Sequence, residues 1–303
     1  MKLATTTGDF RKVYPDRAEQ IRALHRAGFR HIDLNLYQEN TAGSDFMRDN
    51  WMDEVERLRV AAGGLGMDFV QAHAPDCNPL DFDRDWELQV SVTTRSLEVC
   101  AALGIPNCVY HAGWKAGLTK EEYFEKNMIF LKRMIPAIEK TGVRLLIENS
   151  TKANMRDCYY FFTGRDMKEF IEYASHPLLG ACWDTGHANV EGHQYEDITA
   201  LGEDLRALHF NDNSGKGDEH IMPYLGTMSV DEVMCGLRDI AYPGVFTFEC
   251  DSSLRRPESW FGNRRRWKEE RILEPQAPLY EAMERALYVC GETILNKYGY
   301  EAE

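Results

Sequence analysis

The sequence predicts an α/β chain closed into a single (β/α)8 barrel, the TIM-barrel architecture. Three observations carry this. Short runs rich in β-branched and apolar residues recur eight times, helical apolar spacing follows each run, and 303 residues suit eight such units without a second core. No linker or composition break divides the chain, so one domain over 1–303 is expected. An open doubly wound sheet would show a glycine-rich phosphate loop after an early strand, and none is present.

The elements follow in order. The runs LATTT (3–7), HIDLNL (31–36), DFVQAHA (68–74) and NCVYHAG (107–113) read as the first four strands. RAEQIRALHRAG, WMDEVERLRVAAGGLG, VTTRSLEVCAALG and YFEKNMIFLKRMIPAIEKTG read as the helices after them, ending in glycines that suit a C-terminal cap. RLLIEN (144–149), LGACWDT (179–185), ALHFND (207–212) and VFTFEC (245–250) complete the strands. Their helices are RDMKEFIEYA, a weak one at 195–204, VDEVMCGLRDI and LYEAMERALYVCGETIL. Longer insertions at 37–50, 150–164 and 251–275 follow the second, fifth and eighth strands, on the C-terminal rim where barrel enzymes build their sites.

Composition narrows the partners. A net charge of -14, from 35 Lys plus Arg against 49 Asp plus Glu, repels phosphate backbones and anionic membranes, so nucleic acid is not expected as a partner. No leader-like apolar run opens the chain and no stretch approaches the roughly 18 apolar residues of a membrane span, which predicts a soluble, cytoplasmic protein. Eight cysteines without a C-x-x-C pair read as reduced, mostly buried thiols.

Alternate side chains of a strand face opposite sides. Leu146 and Glu148 therefore face the barrel axis, as do Cys182 and Asp184, Ala207 and His209, and Thr247 and Glu249. Any one of these acids could cap a helix or pair with a basic residue. Four polar side chains from consecutive strands aimed at one axis are better explained by a cation, because clustered carboxylates in a low-dielectric mouth lose hydration and repel one another. Three carboxylates and one imidazole suit Mn²⁺ first, with Mg²⁺, Co²⁺ or Zn²⁺ as alternatives. Of nine histidines, His25, His31, His176 and His193 read as solvated or structural, whereas His73, His111, His187, His209 and His220 all fall on the rim.

With these residues in place, I-E-N at 147–149, W-D-T-G-H at 183–187, L-H-F-N-D at 208–212, D-E-H at 218–220, P-x-x-G at 223–226 and F-E at 248–249 resemble the xylose-isomerase-like superfamily. It holds sugar isomerases and 3-epimerases, inosose dehydratases and isomerases, and abasic-site endonucleases, and the likeness runs from Lys2 to about Asn296. The resemblance to the ketose 3-epimerases implies that Glu148, Asp184, His209 and Glu249 bind one divalent metal, that the two glutamates exchange a proton with a sugar carbon, and that His187 contacts a substrate oxygen. The sequence departs from that branch in offering only Lys216 where an arginine commonly follows the seventh-strand histidine. His73, His111, Asp218 and His220 also match positions that in the endonuclease branch hold further zinc ions; in single-metal relatives such residues bind substrate oxygens.

The expectation is a metal-dependent isomerase or epimerase of a small carbohydrate, with proton transfer through a metal-stabilised enediolate. The rival reading is a lyase or dehydratase acting on a keto-sugar or inosose, with His187, His220 or Lys216 as the acid; an endonuclease-like metallohydrolase is the third. His73, His111, His187, Trp114, Lys216, Asp218 and His220 are the expected substrate contacts, and Asn35 and Glu39 could also face substrate. Trp114, after His111, suits a pocket wall. CYYFFTG at 158–164 reads as packing under a loop or against another subunit, and the five arginines and two tryptophans within 255–267 as an exposed charged segment serving as a lid or a contact of a homo-oligomer, a site for an anionic or phosphorylated sugar being the alternative.

Overall fold

Eight parallel strands run from β1 (Leu3–Thr6) through β2 (His31–Asn35), β3 (Asp68–His73), β4 (Asn107–Tyr110), β5 (Arg144–Glu148), β6 (Leu179–Asp184) and β7 (Leu205–His209) to β8 (Phe246–Phe248). The computed structural model describes residues 1–83, 85–251, 253–254 and 275–303; the arginine- and tryptophan-rich stretch 255–267 lies outside the described residues. Each strand pairs with its sequence neighbour, and β8 returns to β1. The Phe210 amide donates to the Thr247 carbonyl (2.7 Å) and Phe210 bridges Phe248, which brings β7 against β8 and nearly closes the barrel.

The helices are α1 (Arg17–Ala27), α2 (Trp51–Gly63), α3 (Trp86–Leu103), α4 (Lys120–Thr141), α5 (Lys152–Met155), α6 (Gly164–Ala174), α7 (Thr185–Glu191), α8 (Tyr195–Leu201), α9 (Val230–Asp239) and α10 (Ala277–Lys297). Capping explains several bounds. Thr119 and Glu122 form a reciprocal capping box that starts α4. The Asp85 carboxylate accepts from the Leu88 amide, so α3 begins at Trp86 rather than at Val92 where apolar spacing alone starts it. Two short helices, α5 and α7, are additions to the alternating pattern, each capped by the residue before it, Thr151 and Asp184.

Side-chain alternation separates two interiors. Leu145, Ile147, Phe246 and Phe248 face outward into one large apolar layer shared with the helices. Val109, Leu146, Cys182 and Ala207 form a separate small cluster inside the barrel. Burying a Leu or Phe side chain contributes about 1.5–3 kcal/mol, so the outer layer carries most of the hydrophobic stabilisation. The axis is thereby left free for chemistry. Two residues beyond each member of the inner cluster stand His111, Glu148, Asp184 and His209, lifted by the strand repeat onto the C-terminal mouth. Among the described residues no helix is long and apolar enough to cross a membrane, and all eight cysteines are free thiols.

Candidate metal centre and cavity

Glu148, at the end of β5, is 1% exposed and sits at the centre of the mouth. One carboxylate oxygen lies 2.7 Å from His209 Nδ1; the other lies 3.0 Å from His111 Nε2 and 3.2 Å from His73 Nε2. Burial alone would raise this acid, but the imidazoles of His209 and His111 outweigh it and hold Glu148 well below the usual carboxylate range. Glu249, one residue beyond β8, approaches the same His209 Nδ1 at 3.2 Å. Burial pushes its carboxyl upward, against the pull of His209 and His220.

Asp184 is fully buried at the end of β6, and its two oxygens are held apart by different partners. Oδ1 accepts from the His187 amide (2.6 Å) as the cap of α7, and Oδ2 accepts from Asn211 Nδ2 (2.7 Å). Asn149 fixes the backbone of the same residue, accepting from the Asp184 amide and donating to its carbonyl. Helix capping, the bland explanation of an acid here, is therefore real but partial. Each carboxylate oxygen keeps a second lone pair. Gly186 is what lets this arrangement close: a Cβ on it would stand 1.8 Å from Asn211 Oδ1.

One ligand atom each from Glu148, Asp184, His209 and Glu249 can be chosen so that all lie within 4.8 Å of one another. No lysine or arginine pairs with these three acids among the described residues, where only imidazoles balance them. His209 Nε2 and His187 Nδ1 are buried and make no hydrogen bond, although an acid stands 3.5 Å from each, Asp33 and Asp184 respectively. Three hard oxygens and one nitrogen, buried and short of positive charge, fit a divalent cation. Two further groups overlap this one: His73, His111 and Glu148 on one side, and Asp184, His187 and His220 on the other. Asp218 joins the second group, 3.2 Å from His187 Nε2 and 2.8 Å from His220 Nε2. Burial opposes protonation of His187, yet Asp184 and Asp218 raise it to about 10. His73 Nδ1 donates to the Ala74 carbonyl (2.7 Å), and the ring is raised to about 9, burial being outweighed by Glu148.

Above the cluster opens a cavity of about 610 Å³. Its wall contains His73, His111, Trp114, His187, Asp218 and His220 together with both glutamates, and it also takes in Asn35. Lys216 is exposed and is not part of that wall, and Glu39 is turned away into an ion pair with Arg17. The aromatic run at 158–164 packs inward: Tyr159 and Phe161 are buried, and the Tyr159 hydroxyl donates to the Glu148 carbonyl (2.8 Å).

Four buried residues that support the site were not singled out by sequence reasoning. Asp33 on β2 lies 3.5 Å from His209 Nε2 and accepts from Gln71 Nε2 on β3 (3.2 Å), while Asn149 and Asn211 hold Asp184. Asp33 and Gln71 share the inward parity of Asn35 and His73, and the two asparagines fall within the I-E-N and L-H-F-N-D motifs.

The family described as "Xylose isomerase-like TIM barrel" matches residues 21–271. This chain belongs to that family. Among curated proteins, the uncharacterized protein y4fM of Sinorhizobium fredii is 26% identical over 253 residues, spanning 75% of this chain and 78% of that protein. A probable endonuclease 4 of Citrifermentans bemidjiense is 29% identical over 130 residues, 39% of this chain and 45% of that one. A solved structure of D-psicose 3-epimerase with D-tagatose, from Clostridium cellulolyticum H10, superposes with a TM-score of 0.75 over 97% of this chain and 99% of that chain. At 17% identity it speaks for the xylose isomerase-like barrel and no further.

Proposed function

We propose that this chain is a divalent-metal-dependent isomerase or epimerase of a small polyhydroxy carbonyl compound. The observation that supports it is the convergence of Glu148, Asp184, His209 and Glu249 at the base of a cavity whose wall is otherwise rich in hydrogen-bonding side chains. These four would hold the cation, Mn²⁺ first among the candidates. Its positive charge would polarise a substrate carbonyl and favour loss of the proton on the neighbouring carbon.

The chain's own groups then do the rest. A carboxylate oxygen of Glu148 or Glu249 takes the C–H proton, and the bonding pair moves onto the carbonyl oxygen. The other glutamate returns a proton to the same carbon from the opposite side, giving an epimer, or a proton is returned to the adjacent carbon, giving the aldose–ketose isomer. His187, His220 and Asp218 on one side, and His73 and His111 on the other, orient hydroxyls by hydrogen bonds. Trp114 supplies a flat apolar wall for a sugar face. Lys216, being exposed, takes no part in this reading.

The test is incubation of metal-loaded protein with a ketose panel in D2O. Deuterium at one carbon of recovered sugar, with an epimer or isomer formed, supports the reading; a dehydrated enone product would replace it with the lyase. A second reading has an observation of its own in the two overlapping groups, which together with the first could hold more than one cation. It is an endonuclease-like metallohydrolase. Several metal ions per chain together with cleavage of abasic DNA would favour it, although the net charge of -14 opposes duplex binding.

A further inference from the structure

The cavity wall is rich in acids and holds one basic side chain among the described residues. Five carboxylates line it, Asp76, Glu148, Asp218, Glu249 and Asp251, and the single Lys or Arg in its wall among the described residues is Arg11. Arg11 follows the short turn Thr7–Phe10 at the end of β1, on the rim, and is half-buried. Asn35 and Gln38 share that end of the wall with it. The same three residues also line a smaller adjoining depression of about 190 Å³, so the polar end continues past the main cavity.

Arg11 contrasts with Arg17, which lines the same depression. Arg17 is matched by three acids, Glu39, Asp45 and Glu54. Among the described residues the Arg11 guanidinium has no ion pair and no side-chain hydrogen bond. The chain has 49 acids against 35 basic residues, yet none of the described acids is placed on this partly buried arginine. The Asn35 carboxamide oxygen accepts from the Tyr37 amide (3.1 Å), which leaves its NH2 as the free half, and a Cβ on Gly8 would stand 2.8 Å from that nitrogen. Donors thus gather around Arg11, while Glu148, Asp218 and Glu249 each stand against imidazoles of the candidate metal centre. The volume also exceeds what a sugar of twelve heavy atoms needs, since cavities of ~300–1,000 Å³ bury drug-sized ligands.

We propose that Arg11, with Asn35 and Gln38, forms a subsite for an anionic substituent of the carbohydrate, a phosphate or a carboxylate, carried at the end of the molecule remote from the carbon that exchanges its proton. This rests on the sugar reading above and names its substrate class: acidic ketoses rather than neutral ones. The planar guanidinium offers paired N–H donors that match either oxyanion.

The experiment is calorimetric binding of D-fructose, D-fructose 6-phosphate and D-fructuronate to the metal-loaded full chain, with inorganic phosphate as a fourth ligand. One of the two anionic ketoses should bind roughly 10- to 100-fold more tightly than D-fructose, the span of a charge-assisted hydrogen-bonded pair, and which one does so identifies phosphate or carboxylate as the natural group. Arg11→Ala should collapse that ratio to within about 2-fold, Arg11→Lys should restore part of it, and Lys12→Ala, which removes an exposed neighbouring charge, should keep it. Equal binding of neutral and anionic ketoses, a ratio that survives Arg11→Ala, or no binding of any of the three sugars would overturn the subsite. Deuterium exchange into neutral ketoses is read separately, so the subsite can fail while the proton-transfer chemistry stands.

Discussion

At the barrel mouth, Glu148 and Asp184 are buried among His73, His111, His187 and His209; on the opposite side of β1, Asp9 and Glu284 are buried with the Thr5 hydroxyl, which donates to Asp9 (2.7 Å). Thr6 faces the cavity and Thr5 the helix layer, so one strand separates the two sets. No basic side chain pairs with Asp9 or Glu284 among the described residues. Burial therefore raises Asp9 well above the usual range, with Glu284 adding to it, and raises Glu284 from 4.5 to about 7. The acids at the mouth are surrounded by groups that can trade a proton for a cation. The pair behind β1 can only keep a proton. Buried acids alone do not mark a metal site; the imidazoles beside them do.

The comparison breaks most sharply at Glu148. Glu148→Gln keeps the shape of the side chain and removes its charge, so bound metal should fall and C–H exchange should drop by roughly 10²- to 10⁴-fold, the span for a positioned acid–base group. The far-ultraviolet dichroism and thermal midpoint should stay near those of the parent, because the helix layer and not the axis carries the packing. Near-normal exchange would remove Glu148 from the proton-transfer role.

Glu284→Gln should have the opposite character, changing stability and not metal content. A carboxyl raised from 4.5 to about 7 contributes stability that is complete below the unfolded value and is lost as pH rises through about 7. The parent should therefore lose on the order of 3 kcal/mol between pH 4.5 and 8 from this group, and the amide variant should lose less. Urea unfolding of both proteins at pH 5 and pH 8 measures the difference. Equal slopes would mean that the pair is already hydrated or paired in solution.

The two sets also differ in how far the sequence exposes them. Strand parity alone places Glu148, Asp184, His209 and Glu249 on one axis, because period-two alternation and the C-terminal rim are local properties of β-strands. The strands and the (β/α)8 order were legible for the same reason. Asp9 and Glu284 are 275 residues apart on a turn and a helix, and nothing local tells that α10 packs over β1. Helix α7 was hidden because Asp184 ends a strand and caps a helix with the same carboxylate. Lys216 shows the converse limit: it lies two residues before Asp218 in sequence, yet the loop turns it to solvent while Asp218 faces the cavity, a choice no periodicity governs.

Asp33 gives the smallest effect and the finest test, since it is a buried acid that belongs to the mouth without being one of its four converging groups. Its carboxylate stands 3.5 Å from His209 Nε2, and Gln71 donates to it from β3. An acid on Nε2 would orient the ring so that Nδ1, the atom beside Glu148 and Glu249, is directed at the cation, and outer groups of this kind are worth about 10- to 100-fold in metal affinity. Asp33→Asn should therefore weaken Mn²⁺ binding by about that factor, measured by competition with a chelating dye, and excess metal should restore most of the exchange rate. If Asp33 only filled space, the near-isosteric amide would leave the dye competition unchanged. An Asp33→Asn protein that binds metal as tightly as the parent would move Asp33 out of the site and into the company of Asp9 and Glu284, an acid tolerated by the fold rather than used by it.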